Sequence, residues 1–234
     1  MLIVRALYGL NSSGAAFRSL LAETLHDLGY IPTKADPDEW LRPAVKSDRF
    51  EYYELVLCYV EDLLCMSHDA IRTIKEIQIS FNFKDDKIEK PETYQGAGLS
   101  NMTTTNRTEC WSMSSEAYCK ATITNVETKL SNEGRQLPSK CDTPMRLVYR
   151  PELDESPELK SDGVQHYQEL IGVLRWAVEL VSVDIFYEIT TMSTHLDMPR
   201  IGHLQELFHM FGYLKANPKR KVAFDPDHPM FDKR

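Results

Sequence analysis

Apolar positions recur along this chain with two different periods. Phe17, Leu20, Leu21, Leu25 and Leu28 follow the helical spacing, after Asn11-Ser12-Ser13, whose side chains can cap open amides, and before Gly29, a natural stop. From Phe50 to Met66 the residues favour strands instead. The runs Leu55-Val56-Leu57-Cys58 and Leu63-Leu64-Cys65-Met66 flank Tyr59-Val60-Glu61-Asp62, which predicts a β-hairpin with an acidic tip. Asp69 caps a second predicted helix carrying Ile71, Ile74, Ile77 and Phe81. Short extended pieces from Tyr94 to Gly98 and from Cys110 to Met113 surround the polar turn Thr103-Thr104-Thr105-Asn106-Arg107, a second hairpin, and a helix follows over Ser115 to Asn132.

Between Gly134 and Asp162 the chain turns rich in proline, serine and charge, with Pro138, Pro144, Pro151 and Pro157, and reads as a linker. Beyond it the pattern is helical throughout. Asp162 with Gln165 three residues on has the form of a capping box, ahead of an apolar face made by Val164, Tyr167, Leu170, Ile171, Leu174, Ala177, Val178 and Val181. Ile185, Ile189, Met192 and Leu196 form a second face before Pro199, and Ile201, Leu204, Leu207, Phe208, Phe211 and Leu214 a third before Pro218. The expectation is an α+β chain organised as 1–133, a linker over 134–162, and a helical region over 163–234.

Composition narrows the class. With 234 residues and 42% apolar content the chain can bury a sizeable core, as one large domain or two small ones. No stretch approaches the roughly 20 apolar residues of a membrane span, and no secretory leader pattern opens the chain, so no membrane association and an intracellular compartment, cytoplasm or nucleus, are expected. Cys58, Cys65, Cys110, Cys119 and Cys141 are odd in number and lack metal-ligand spacing, which predicts reduced, mostly buried thiols. His195, His203 and His209 lie close together, yet His203 and His209 miss the four-residue spacing of helical zinc pairs, which favours packing.

The chemistry sits at the hairpin tip. Carboxylates at the meeting point of two strands are the residue type that holds the cations of a two-metal phosphoryl transfer. Ala6-Leu7-Tyr8-Gly9-Leu10, Ala35-Asp36-Pro37, Tyr59 to Leu64 and Tyr167-Gln168-Glu169-Leu170-Ile171-Gly172 resemble, in that order and spacing, the reverse transcriptase region of Ty1/copia-type retrotransposons. The resemblance spans nearly the whole chain. It implies a partial polymerase palm and thumb-like segment over 1–133 and a connection region over 163–234 that precedes a ribonuclease H. It also implies Mg2+ held by Glu61 and Asp62 as the catalytic pair, with RNA or DNA template-primer and deoxynucleotides as partners.

This chain departs from the family pattern at the chemistry. The family's tip is Tyr-Val-Asp-Asp, so Glu61 replaces the first aspartate; the partner aspartate strand would lie upstream of Met1. In the loop expected beside the nucleotide, Asn11, Ser12, Gly14 and Ala15 replace lysine, glutamine, proline and arginine. One added methylene moves a carboxylate by about 1 Å, whereas magnesium demands near-octahedral oxygens at about 2.0–2.1 Å. The expectation is a truncated, degenerate RNA-directed DNA polymerase without activity of its own, or alternatively a non-catalytic module that binds nucleic acid or a polymerase. The net charge of −8 disfavours a free-standing nucleic-acid binder, but Lys215, Lys219, Arg220 and Lys221 can touch a phosphate backbone, or else close a helix at its carbonyl end. A palm hairpin without its neighbouring strand exposes a sheet edge, which predicts self-association.

Overall fold

The computed structural model describes residues 13–60, 62–81, 88 and 90–224. These form a mixed α+β chain with two antiparallel sheets and six α-helices among the described residues. The chain divides into two compact units, Met1–Pro91 and Glu92–Arg234.

In the first unit α1 (Ser13–Asp27) ends where Gly29 takes a φ of +85°, a left-handed backbone that glycine adopts without penalty. The start expected at Asn11 and Ser12 lies outside the described residues. The chain then enters β1 (Ile31–Pro32), β2 (Glu39–Val45), β3 (Glu51–Tyr59) and β4 (Asp62–Met66), which pair in sequence order as one sheet. Register sets Trp40 opposite Val56, and Arg42 opposite Glu54. Because side chains alternate between faces, Trp40 and Val56 turn inward together and pack with Leu21, Leu25, Tyr30 and Ile77, all buried. Each such side chain contributes about 1.5–3 kcal/mol by leaving water. Pro43 fits within β2 because the amides of its even-numbered neighbours face β3, as Lys46 N does in donating to Phe50 O, so the missing N–H falls on the side β1 is too short to reach.

α2 (Ala70–Gln78) starts as expected, with the Asp69 carboxylate accepting the Arg72 amide at 3.1 Å. Its buried positions are Thr73 and Ile77, while Ile71 faces solvent. β4 is an edge strand, and no described strand pairs with its outer side.

In the second unit β5 (Thr93–Tyr94), β6 (Ala97–Thr103), β7 (Glu109–Ser114) and β8 (Val222–Phe224) form the second sheet. The expected polar turn joins β6 to β7, but the first strand expected over Tyr94 to Gly98 is broken by a tight turn at Gln95 and Gly96, both at positive φ, so that β5 folds back on β6 and the strand facing β7 runs on to Thr103. α3 (Glu116–Asn132), α4 (Ser161–Leu180), α5 (Phe186–Ser193) and α6 (Ile201–Ala216) pack around one core that includes Tyr167, Leu174, Ile189, Met192, Leu207 and Phe211. The Tyr167 hydroxyl finds its partner inside, donating to Met192 O at 2.7 Å. α4 starts two residues earlier than a cap at Asp162 requires: Lys160 holds the N-cap position without a side-chain bond, and Asp162 lies in the first turn, where a negative charge suits the helix dipole.

Residues 134–160, irregular apart from a 3-10 turn over Pro151–Leu153 and a bridge from Glu158 to Arg200, are tied to α6. Glu206, buried in α6, accepts Arg146 N and Arg146 Nε, both at 2.6 Å, and Leu137, Met145, Tyr149 and Leu159 pack on the core. Among the described residues no helix is long and apolar enough to cross a membrane.

Candidate functional site

The β3–β4 hairpin closes on the pair Tyr59 and Asp62, leaving Val60 and Glu61 as a two-residue connection. Glu61 lies outside the described residues. Asp62 is exposed, as are Tyr59 and Val60. Val60 carries a φ of +53°, a value that two-residue hairpins demand and that asparagine or glycine ordinarily supplies. A β-branched residue there is strained, by about 1–2 kcal/mol.

Ala35-Asp36-Pro37 builds the turn beside that end of the sheet. The Asp36 carboxylate accepts the Asp38 amide at 2.9 Å, Thr33 Oγ1 donates to Asp36 O at 2.9 Å, and Thr33 N donates to Glu39 O at 2.8 Å. Cys58 N donates to Asp38 O at 2.9 Å, which brings Asp38 to the edge of the tip. Its carboxylate is already paired with Arg18 at 2.8 Å. Burial, with Asp38 nearby, pushes the Cys58 thiol up to about 12, and Cys65 stands at about 12 for the same first reason, so neither is a nucleophile near neutrality.

Magnesium takes about six oxygens, keeping several waters and taking one or two carboxylates from the protein. Asp62 is one carboxylate at the tip, Asp38 is committed to Arg18, and among the described residues no group of three or more His, Cys, Asp and Glu side chains comes together to hold a metal.

The basic run belongs to the second unit and is largely engaged within it. Lys215 Nζ donates to Glu127 at 2.5 Å, Arg220 bonds Asp184 at 3.3 Å and Leu214 O at 3.0 Å, and Lys221 Nζ donates to Ser100 Oγ at 3.2 Å. Lys219 is exposed, and none of the described residues pairs with it. The run leads into β8 and places Val222 opposite Met113.

His195, His203 and His209 serve packing. His203 accepts Arg200 N at Nδ1 (3.0 Å) and donates from Nε2 to Pro151 O (3.0 Å), so both ring nitrogens are spent at the start of α6. His209 donates from Nε2 to Thr143 O at 2.9 Å, which leaves Nδ1 to accept the buried Cys141 thiol at 3.5 Å. His195 stacks on His203 with ring centroids 4.2 Å apart, and burial, with His203 beside it, lowers its pKa.

Sequence reading passed over the strongest polar cluster in the first unit. Glu54 is fully buried in β3, and its carboxylate accepts Arg42 Nε at 2.9 Å, Arg42 Nη2 at 2.6 Å, Arg72 Nη2 at 2.6 Å and Ser67 Oγ at 2.7 Å. Arg42 also stacks over the Tyr30 ring at 4.4 Å and donates to Leu28 O at 2.9 Å. Burial alone would raise the Glu54 pKa; the Ser67 and Arg42 hydrogen bonds and the charges of Arg42 and Arg72 outweigh it and hold the carboxyl below its usual range. The signal was present: Tyr52, Glu54, Val56 and Cys58 share one strand face, and a charge on an inward face demands partners. Comparison with protein-family models, curated proteins and solved structures finds no match.

Proposed function

We propose that this chain derives from the polymerase region of a Ty1/copia-type retrotransposon and does not copy a template by itself. Descent is supported by the order of Ala6 to Leu10, Ala35-Asp36-Pro37, Tyr59 to Leu64 and Tyr167 to Gly172. The observation that carries the reading is the hairpin whose closing pair joins Tyr59 to Asp62, so that an exposed carboxylate stands at the end of an apolar two-stranded arm. On this reading the arm belongs to a partial palm and α4 to α6 to a connection region.

The chemistry of the tip argues against autonomous synthesis. Glu61 stands where the family has aspartate, Asn11 and Ala15 stand where it has two cations, and Arg18 neutralises Asp38. Magnesium in such enzymes steadies charge on the attacking and leaving oxygens. Among the described residues no two-metal ligand set comes together, so no step of synthesis is assigned to this tip. Purified protein, given primer-template, deoxynucleotides and Mg2+ or Mn2+, is expected to extend no primer. Template-dependent incorporation that disappears in Asp62→Asn would overturn the proposal.

A second reading, a non-catalytic module that holds nucleic acid or a polymerase, is favoured by one observation: the second unit keeps a complete core, with Tyr167, Leu174, Leu207 and Phe211 at 0% exposure. Filter binding across a salt series tests the nucleic-acid version, because each neutralised duplex phosphate contributes about −0.9 to the log–log slope. No retention at low salt would remove it.

A further inference from the structure

Away from the tip, the first unit's sheet carries a second polar site. β2, β3 and the start of α2 line a cleft of about 410 Å3. Small-molecule sites run from about 300 to 1,000 Å3. The cleft surrounds Glu54, five residues before Tyr59 on β3, which at about 3.4 Å per residue is roughly 17 Å from the closing pair.

The donors and acceptors along its wall are not evenly committed. Glu54 is taken by Arg42, Arg72 and Ser67; Glu76 Oε2 pairs with Arg42 Nη2 at 2.8 Å; Asp69 caps α2 through the Arg72 amide. Each carboxylate on the wall therefore already faces a cation or a backbone amide. Three donor heads are differently placed. Lys46 Nζ lies over the Phe50 and Tyr52 rings at 5.1 and 5.7 Å, and no described carboxylate pairs with it. The Arg72 side chain is half exposed, with Nη2 anchored on Glu54 and Nη1 without a partner among the described residues. His68 is exposed on the same wall.

We propose that this cleft binds the phosphate group of a small phosphorylated ligand, received by Lys46, Arg72 and His68, with Glu54 serving as the buried anchor that aims Arg72. Phosphate oxygens suit a fixed guanidinium edge and a mobile ammonium together. The formal charges of the wall balance, Arg42, Lys46 and Arg72 against Glu54, Asp69 and Glu76, so capture rests on hydrogen bonds at short range and not on long-range attraction. This site is separate from the hairpin tip and stands or falls independently of the polymerase reading.

Isothermal titration of the full chain with inorganic phosphate and with pyrophosphate, at ionic strength fixed by sodium acetate, tests it. Saturable binding of either ion is expected, weakened at least tenfold in Lys46→Met and further in Lys46→Met/His68→Ala. Both substitutions lie outside the Glu54 hydrogen bonds, so the fold is retained, and near-UV circular dichroism checks this. Asp62→Asn is expected to leave the isotherm unchanged. The proposal is overturned by heats that never saturate, by equal affinity in the folded Lys46→Met/His68→Ala variant, or by loss of binding in Asp62→Asn.

Discussion

Replacing Glu54 by glutamine keeps the shape of the side chain and removes its charge, which isolates what the buried carboxylate does. Four hydrogen bonds of 2.6–2.9 Å converge on its oxygens from Arg42, Arg72 and Ser67. Hydrogen bonds to a charged group contribute about 1.5–3 kcal/mol each, yet they do not sum, because burial of the carboxylate opposes them. Two features decide the net. The Arg42 side chain is only 16% exposed and keeps its bonds to Glu76 and Leu28 O, so it is left partly compensated. Arg72 is 51% exposed and recovers solvation when released, so its share is small. Removing one partner of a buried pair typically costs about 3–5 kcal/mol, and the compensation on Arg42 puts this case near 3.

Trp40 is the only tryptophan of the first unit and is buried in its core, so in a Trp111→Phe/Trp176→Phe background its fluorescence follows that unit alone. With a urea slope of roughly 1.5 kcal/mol/M, a loss of about 3 kcal/mol lowers the midpoint by about 2 M. A double replacement, Glu54→Met with Arg42→Met, is expected to recover part of the loss, since an apolar pair needs no partners. A midpoint for Glu54→Gln within about 0.3 M of the parent would refute the reasoning, because a fully buried carboxylate with two arginines would then be contributing nothing.

The same carboxyl sets an acid limit. Its folded pKa is depressed, so its stabilisation is complete above the ordinary glutamate value of about 4.3 and is lost as pH falls through the depressed value; the gap between parent and Glu54→Gln midpoints should close below pH 4. At the hairpin tip, Val60→Gly removes a β-branched residue from φ +53° and is expected to raise first-unit stability by about 1 kcal/mol, measured by the Trp40 transition; a loss would show that Val60 is unstrained. In α6, Gly212→Ala sets a methyl 2.7 Å from both Cys141 Sγ and Pro138 O and should destabilise the second unit by about 2 kcal/mol, whereas Gly172→Ala in α4 meets nothing within 4 Å and should stabilise it by about 0.5–1 kcal/mol. Thermal unfolding of the pair with shifts of the same sign would count against the packing described for residues 138–141.

Local pattern carried the elements whose period is strong. α1, the β3–β4 hairpin, α3 and the apolar faces of α4 to α6 all follow from spacing that a single face enforces, whereas of the β6–β7 hairpin only the turn and the second strand were legible. β1, β2 and β8 were not legible. β8 is three residues directly after a lysine-rich run, and it exists because Met113, Ser112 and Trp111 offer it a sheet edge. β2 hides a proline and an arginine within seven residues, and only the pairing with β3 makes both tolerable. Such strands are specified by their partners more than by their own propensities.

The same reason separates what could be read of the candidate site from what could not. Acids at a hairpin tip announce themselves, because their neighbours in sequence are also their neighbours in space. Glu54 is different: the groups that make it tolerable are Arg42 across the strand, Ser67 beyond β4 and Arg72 in α2, which only the folded chain brings together. Glu206 repeats the lesson in the second unit, where the arginine that neutralises it lies 60 residues earlier, in a stretch whose prolines suggest a linker. Proline and charge report that a segment has no regular backbone ladder. They say nothing about whether one buried carboxylate elsewhere holds it in place, and the 2.6 Å bonds from Arg146 to Glu206 fasten this stretch to a core whose composition it does not share.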